Sequence, residues 1–290
     1  MPEGNVIHHQ ARRLTRAFGR QQVGVDSPQG RFAAGAALVN GRQLIDAQAY
    51  GKHLFIAFTS TSPGSRTSAR ASARASARTD TSTWVHVHLG LFGKWRIGKG
   101  LPPAERGLIR MRLVGETHYA ELRGPTACEV IDPQQRAALL ARIGPDPIRR
   151  DADPQRAWDR VQRSKAPIAG LLMDQRVFAG VGNIYRAEVL FRHNISPFRA
   201  GRDLTWADFD AIWLDLVDLM RQGTKRGRID TVRAEHRPEA MGRDPRQDRH
   251  GGEVYVYRRA ERECFLCGDV IQLMDLQGRK LYWCPSCQVA

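Results

Sequence analysis

Apolar residues recur at helical spacing near the start of the chain, then at strand spacing, then at helical spacing again. Within residues 5–19, Ile7, Ala11, Leu14 and Phe18 form one stripe, while Arg12, Arg13, Arg16 and Arg20 fall largely off it, which predicts an amphipathic helix. From about residue 22 to 130 the pattern changes to short β-type runs broken by glycine and proline. Residues 32–39, 43–50, 53–58, 84–89, 109–114 and 119–122 read as strands, and Asn40-Gly41 as a hairpin turn. Many short strands after one helix predict a two-layer β-sandwich or a flattened barrel.

Residues 60–83 interrupt that pattern with a Ser/Thr/Ala/Arg-rich run in which Ser-Ala-Arg repeats. It carries almost no apolar mass beyond alanine, so it reads as a disordered insertion, either solvated or adding loose affinity for a polyanion. A short helix is predicted at 134–143, ended by Gly144-Pro145-Asp146-Pro147, with a polar hinge over 144–154. These breaks divide the chain into an N-terminal domain at 1–143 and a C-terminal domain at 155–290. Farther on, Thr205 with Asp208 forms a capping signal, and Phe209, Ile212, Trp213, Leu216 and Met220 make a stripe closed by Gly223. Residues 224–252 are Arg-rich and irregular and read as loop, and 254–257 as a strand.

The chain has 290 residues, enough for about two cores. Its formal net charge is +15, almost all of the excess arginine. Guanidinium excess of this kind points to a polyanion, most often nucleic acid, with a basic surface kept for solubility as the plainer reading. No apolar run approaches the roughly 20 residues of a membrane span, and the start lacks a signal-peptide core, so a cytoplasmic protein is expected. Four of the five cysteines lie near the end, as Cys264, Cys267, Cys284 and Cys287. Two Cys-x2-Cys turns complete a tetrahedral set of thiolates with no open position, so one structural zinc ion is expected there.

Other candidate chemistry is scattered along the sequence. If Met1 is removed, Pro2 offers a free secondary amine with a pKa of roughly 7.7–8.0, a usable nucleophile near neutrality, with the Glu3 carboxyl beside it. A proline in second place is also compatible with an ordinary frayed terminus. Gly180-Val181-Gly182 precedes a helix with Asn183 at its N-cap, which reads either as a tight turn or as an anion site whose natural occupant is a phosphate. Lys52 opens a strand after Gly51. Leu91 and Phe92 occupy a glycine-flanked turn, either buried locally or exposed as a wedge between bases. His86 and His88 share one strand face and read as core histidines, no carboxylate pattern accompanying them. Arg279, in the tight turn between the cysteine pairs, can reach a phosphate or be a solvated charge.

Taken together, Pro2-Glu3-Gly4, Gly51-Lys52, the run from His88 to Gly93, Asp174 with the stretch from Gly180 to Glu188, and the four cysteines resemble the formamidopyrimidine-DNA glycosylase/endonuclease VIII family. The match is collinear over nearly the whole chain. It implies an α+β protein: an N-terminal β-sandwich with a helix, a helix-two-turn-helix region at 155–223 and a zinc finger at 253–290. DNA would lie in the cleft between the domains. By the resemblance Pro2 attacks C1′ of a flipped nucleotide and Glu3 assists sugar opening and proton transfer. Lys52, Asn183 and Arg279 hold flanking phosphates, with Gly182 at the anion turn, and Leu91 and Phe92 fill the vacated gap. Two departures tilt the reading toward endonuclease VIII-like enzymes acting on oxidised pyrimidines or abasic sites. Asn5-Val6 stands where the family often has Pro-Glu, and no Arg-Phe loop is recognisable near Arg123-Gly124-Pro125. The expected activity is therefore a bifunctional glycosylase and abasic-site lyase acting as a monomer on damaged duplex, bubble or single-stranded DNA. The competing reading is a non-catalytic zinc-finger protein that recognises bent or damaged DNA; an intact Pro2-Glu3 argues against it.

Overall fold

The computed structural model describes residues 2–59, 82–247 and 252–289; most of the 60–83 insertion lies outside them. The chain forms two compact units. The first gathers Met1–His9, Tyr50–Lys52 and Ala141–Ala290; the second comprises Gln10–Ala49 and His53–Leu140. Helix α1 (Gly4–Phe18) starts in the first unit and continues in the second.

The second unit is a β-sandwich of two antiparallel four-stranded sheets. One has the order β1 (Gly24–Asp26), β6 (Ile109–Val114), β7 (His118–Arg123), β5 (Lys94–Lys99). The other runs β2 (Leu44–Tyr50), β3 (His53–Phe58), β4 (Thr83–His88), β8 (Ala127–Ile131). β6 alternates buried and half-buried residues, the period-2 pattern of a strand with one face on the core. In β3 and β4 runs of consecutive residues are buried, as befits the middle of a sheet covered on both sides.

The strand expected at 32–39 is a helix, α2 (Ala33–Val39). Its N-cap Phe32 and its residues Ala36 and Val39 are buried, a spacing of four and three that only a helix puts on one face. Four alanines supply the propensity. Gly41 still turns the chain, but between α2 and β2 rather than between two strands. Helix α3 (Pro133–Ala141) closes the unit, its start held by reciprocal hydrogen bonds between Asp132 and Gln135.

The first unit is built around helices α4 (Gln155–Val161), α5 (Ile168–Met173), α6 (Asn183–Arg192) and α7 (Trp206–Arg226), with a short α8 (Pro238–Met241). Phe178, Tyr185, Phe191, Phe209, Ile212 and Leu216 are among the buried residues of its core. Thr205 and Asp208 make the expected capping box. Gly223 does not end α7, which continues to a left-handed Gly227. A side chain at Gly223 would instead strike the Tyr185 hydroxyl, 2.5 Å from the position of its Cβ, and the Asn5 amide. The glycine marks a close approach inside the helix.

At 254–257 the expected strand does not form. The backbone N–H groups of Tyr255, Val256 and Tyr257 donate to the Glu188 carboxylate at 2.7, 2.9 and 2.8 Å, and the Thr231 hydroxyl adds a fourth bond at 2.6 Å. A buried carboxylate on α6 thus takes the donors that a neighbouring strand would have taken. Beyond it, β9 (Gln272–Leu276) and β10 (Arg279–Trp283) form the terminal hairpin, and Leu281 and Tyr282 join the same core.

Candidate active site and cysteine cluster

Three distant segments of the first unit meet backbone to backbone. The Gly4 N–H donates to the Gly180 carbonyl at 2.8 Å. A methyl group on Gly4 would sit 2.8 Å from the Gly180 Cα, and one on Gly180 would sit 3.3 Å from the Cα atoms of both Gly4 and Gly51. Gly51 and Gly180 also have φ of 54° and 86°, which L side chains rarely adopt. These glycines place the chain start and the Lys52 turn against the loop before α6.

Glu3 is thereby inserted into the N-terminus of α6. Its carboxylate accepts from the N–H groups of Ile184 at 2.7 Å, Gly182 at 3.1 Å and Tyr185 at 3.5 Å. The anion expected at Gly180-Val181-Gly182 is therefore the protein's own carboxylate and not a phosphate. Gly182, rather than Asn183, is the N-cap residue, and Asn183 is the first residue of the helix. Burying a carboxylate costs several kcal/mol, and here the free N–H groups and the positive end of α6 offset it.

Glu3 is only 2% exposed and Lys52 9%. Burial raises the Glu3 pKa, opposed by the Lys52 charge and the three N–H donors. Burial lowers the Lys52 pKa, opposed by Glu3 and reinforced by the like charge of Arg279. The carboxyl thus holds a proton more readily than usual and the amine releases one more readily. Shifts in these directions, caused by burial and a specific charge partner, mark the two as candidate functional groups.

The Asn183 amide donates to the Lys280 carbonyl at 2.8 Å, and the Arg186 guanidinium donates to the same carbonyl at 3.0 Å and to the Asn183 side-chain oxygen. α6 is thus docked on β10 one residue from Arg279, which stays exposed at the hairpin turn. Arg186 is 1% exposed, and burial, with Arg279 acting in the same direction, lowers its pKa to about 10.

The sulfur atoms of Cys264, Cys267, Cys284 and Cys287 lie within 4.8 Å of one another, with Cys264 and Cys287 at 3.9 Å and Cys267 and Cys284 at 3.4 Å. A tetrahedral thiolate site with Zn–S of about 2.3 Å has sulfur–sulfur edges of about 3.8 Å, so the donor set fits. This cluster can hold a metal ion. Gln288 fastens it to the core, accepting from the Cys284 N–H and donating to the Ile195 carbonyl, both at 3.0 Å.

Residues 1–128 match the formamidopyrimidine-DNA glycosylase N-terminal domain, and residues 143–234 match the formamidopyrimidine-DNA glycosylase H2TH domain. Over 292 aligned residues, 99% of this chain and all of the relative, the chain is 46% identical to Endonuclease 8 1 of Mycobacterium tuberculosis. It belongs to the formamidopyrimidine-DNA glycosylase/endonuclease VIII family. Members of this family are DNA glycosylases with abasic-site lyase activity. A second relative, the DNA-(apurinic or apyrimidinic site) lyase Nei2 of Mycolicibacterium smegmatis, is 30% identical over the full length of both chains. Among solved structures, a mutant Lactococcus lactis Fpg in complex with Fapy-dG-containing DNA has a TM-score of 0.76 at 20% identity, covering all of both chains. The Fpg of the same organism with abasic-site DNA gives 0.74 at 18%, covering 99% of this chain and all of that one. These two establish the fold.

Of the residues singled out in the sequence, the first unit brings together Glu3, Lys52, Gly182 and Asn183 around α6, with Arg279 on the adjoining hairpin. Pro2, immediately before Glu3, is half-buried. Leu91 and Phe92 belong to the second unit, where they are 50% and 84% exposed, so burial in the local core is ruled out. His86 is buried and satisfied, but by a carboxylate the sequence pattern did not reveal: its Nδ1 lies 2.9 Å from Glu129, its cross-strand partner on β8. Sequence reasoning also missed Arg186 and the anchoring role of Glu188. Arg186 follows Asn183 by three residues, the spacing that puts both on one helix face, and that signal was available.

Proposed function

We propose that this member of the family removes oxidised bases, with pyrimidines preferred, from damaged DNA through a Schiff base on Pro2. The observation that carries the reading is the Glu3 carboxyl, fixed at the N-terminus of α6 directly after Pro2 and biased toward its protonated form. With Met1 removed, the Pro2 nitrogen attacks C1′, and the base leaves with the bonding pair and takes up the proton that the Pro2 nitrogen gives up. Glu3 supplies a proton as the C1′–O4′ bond opens, leaving an iminium. Loss of a C2′ proton then expels the 3′ phosphate, and a second elimination expels the 5′ phosphate.

Lys52, Asn183 and Arg279 hold the phosphates about the lesion in this reading, with Gly182 framing the carboxylate. Leu91 and Phe92, exposed on their turn, enter the stack where the nucleotide has left. Flipping costs a few kcal/mol, least for a damaged or poorly stacked base. The cysteine cluster holds one zinc ion that stiffens the hairpin carrying Arg279. The enzyme acts as a monomer on duplex DNA, with bubbles and single strands as further substrates. The pyrimidine preference is supported by Asn5-Val6, which stands where the family often has Pro-Glu, so that Val6 takes the place of a second carboxylate.

The test is borohydride trapping on an abasic-site oligonucleotide, with loss of Met1 verified by mass. The wild type is expected to form a covalent adduct, protein blocked at the Pro2 nitrogen to lose it, and Pro2→Gly to weaken the lyase step while keeping DNA affinity near normal. Undiminished trapping by the N-blocked protein overturns the assignment. Release rates from duplexes carrying an oxidised pyrimidine or an oxidised purine then decide the base preference.

A further inference from the structure

Asp146 lies in the Gly144-Pro145-Asp146-Pro147 stretch, whose only reading from sequence is that of a hinge. It is 2% exposed, and each of its carboxylate oxygens has a partner. Oδ2 accepts the Gly51 N–H at 2.7 Å and the His8 Nε2–H at 2.7 Å; Oδ1 accepts the Ile148 N–H at 2.9 Å. A carboxylate can only accept, so Nε2 is the protonated nitrogen of His8 in this contact. The stretch itself is secured to the segment before α6. The Gly144 N–H donates to the Gln175 carbonyl at 2.9 Å and the Ala179 N–H to the Pro145 carbonyl at 3.1 Å. One oxygen of one buried carboxylate thus ties together the two short segments, 1–9 and 50–52, that bring Glu3 and Lys52 into this unit.

The helix explains how. Gly4 and His8 are four residues apart in α1 and so lie on one face. The face that presses Gly4 on Gly180 also delivers His8 to Asp146. On the other side, the Gly51 N–H directly precedes Lys52, so the bond fixes the turn from which the lysine side chain departs. We propose that Asp146 is a positioning residue for the glycosylase and lyase chemistry: through His8 and the Gly51 N–H it sets the position of Glu3 relative to Lys52. The proposal rests on the reading of Glu3 as the proton donor and of Lys52 as a phosphate holder beside it.

The experiment uses the full-length protein and follows three readouts: single-turnover adduct formation on abasic-site duplex, affinity for a duplex carrying a tetrahydrofuran abasic analogue, and the pH dependence of the single-turnover rate. Asp146→Asn retains one acceptor but places an N–H2 where a donor now points. It is expected to slow adduct formation by about ten- to a hundredfold, the scale of an ångström of misplacement. Affinity should change less than about threefold, that is, by under roughly 0.7 kcal/mol. Glu3 faces Lys52, Tyr185, Arg186 and Tyr257. If its spacing from Lys52 loosens, the opposing charge weakens and the limb of the profile assigned to Glu3 moves to higher pH. His8→Leu should reproduce the slow rate, and His8→Gln, whose amide N–H reaches from the same place, should restore it. His8→Leu also serves if Asp146→Asn does not fold, since His8 is at the edge of the site. A wild-type rate in either Asp146→Asn or His8→Leu overturns the proposal. So does a rate that falls only with the fraction folded and leaves the pH profile in place. Protein blocked at the Pro2 nitrogen and Glu3→Gln run alongside: if both trap normally, it is the underlying assignment that has failed.

Discussion

Gly182→Ala isolates the contact on which the site depends. The φ of Gly182 is −133°, an ordinary extended value, so alanine introduces no backbone strain. Its methyl group would lie 2.5 Å from Cδ of Glu3 and 2.7 Å from Cγ and Oε1, far inside contact distance. The carboxylate has to leave the N-terminus of α6. It gives up the Ile184 and Gly182 N–H bonds at 2.7 and 3.1 Å. Hydrogen bonds to charged groups are worth roughly 1.5–3 kcal/mol each, and rehydration of the displaced carboxylate returns part, leaving a net loss of about 2–4 kcal/mol. At about 2–4 °C per kcal/mol for a unit of this size, Tm should fall by about 4–16 °C. The catalytic loss should be larger in proportion, since an ångström of displacement costs about a hundredfold in rate. The assays are calorimetric melting and single-turnover borohydride trapping on abasic-site duplex, each against wild type. A variant that melts within a degree of wild type and traps at the same rate would refute the placement of Glu3 at this helix end.

Two further substitutions probe the same unit. Glu188→Gln keeps the shape but turns one oxygen into an N–H2 facing two of the four donors from Thr231, Tyr255, Val256 and Tyr257. At roughly 1–3 kcal/mol for each donor left unmet, stability should fall by about 2–6 kcal/mol, read as a lower urea midpoint; an unchanged midpoint would show that the carboxylate does not bind this segment. Lys52→Met removes the charge that opposes burial at Glu3, so the Glu3 pKa should rise further. A carboxyl whose folded pKa is raised contributes stability that is full below its ordinary value of 4.5 and is lost as pH rises through the folded value. In Lys52→Met that loss should move to higher pH, together with the Glu3 limb of the rate profile. Movement of either to lower pH would contradict the pairing.

Features decided by neighbours in the chain were legible in the sequence. The spans of β3 and β6, the Thr205–Asp208 capping box and the two cysteine pairs follow from alternation, local hydrogen bonding and ligand spacing, each within a few residues. β5 carries the same signal, in the alternation of Trp95 and Ile97 with Lys94, Arg96 and Gly98. Residues 32–39 and 254–257 depart from the strand pattern because an apolar run does not by itself choose between helix, strand and loop. In the first case burial of Phe32, Ala36 and Val39 selects the helix, and in the second Glu188 takes the backbone donors.

What sequence alone determined, then, is the inventory: which residue types are present, which short segments can be regular, and that glycines stand beside Lys52 and Asn183. Only the tertiary structure decided what those glycines are for. The anion at the start of α6 comes from Glu3, 179 residues earlier than Gly182, and the acceptor for the Gly51 N–H comes from Asp146, 95 residues later. Burial sets the proton affinities of Glu3 and Lys52, and burial exists only once those segments have met. A carboxylate and an ammonium in water keep their ordinary pKa values; enclosed beside each other and a helix end, they do not.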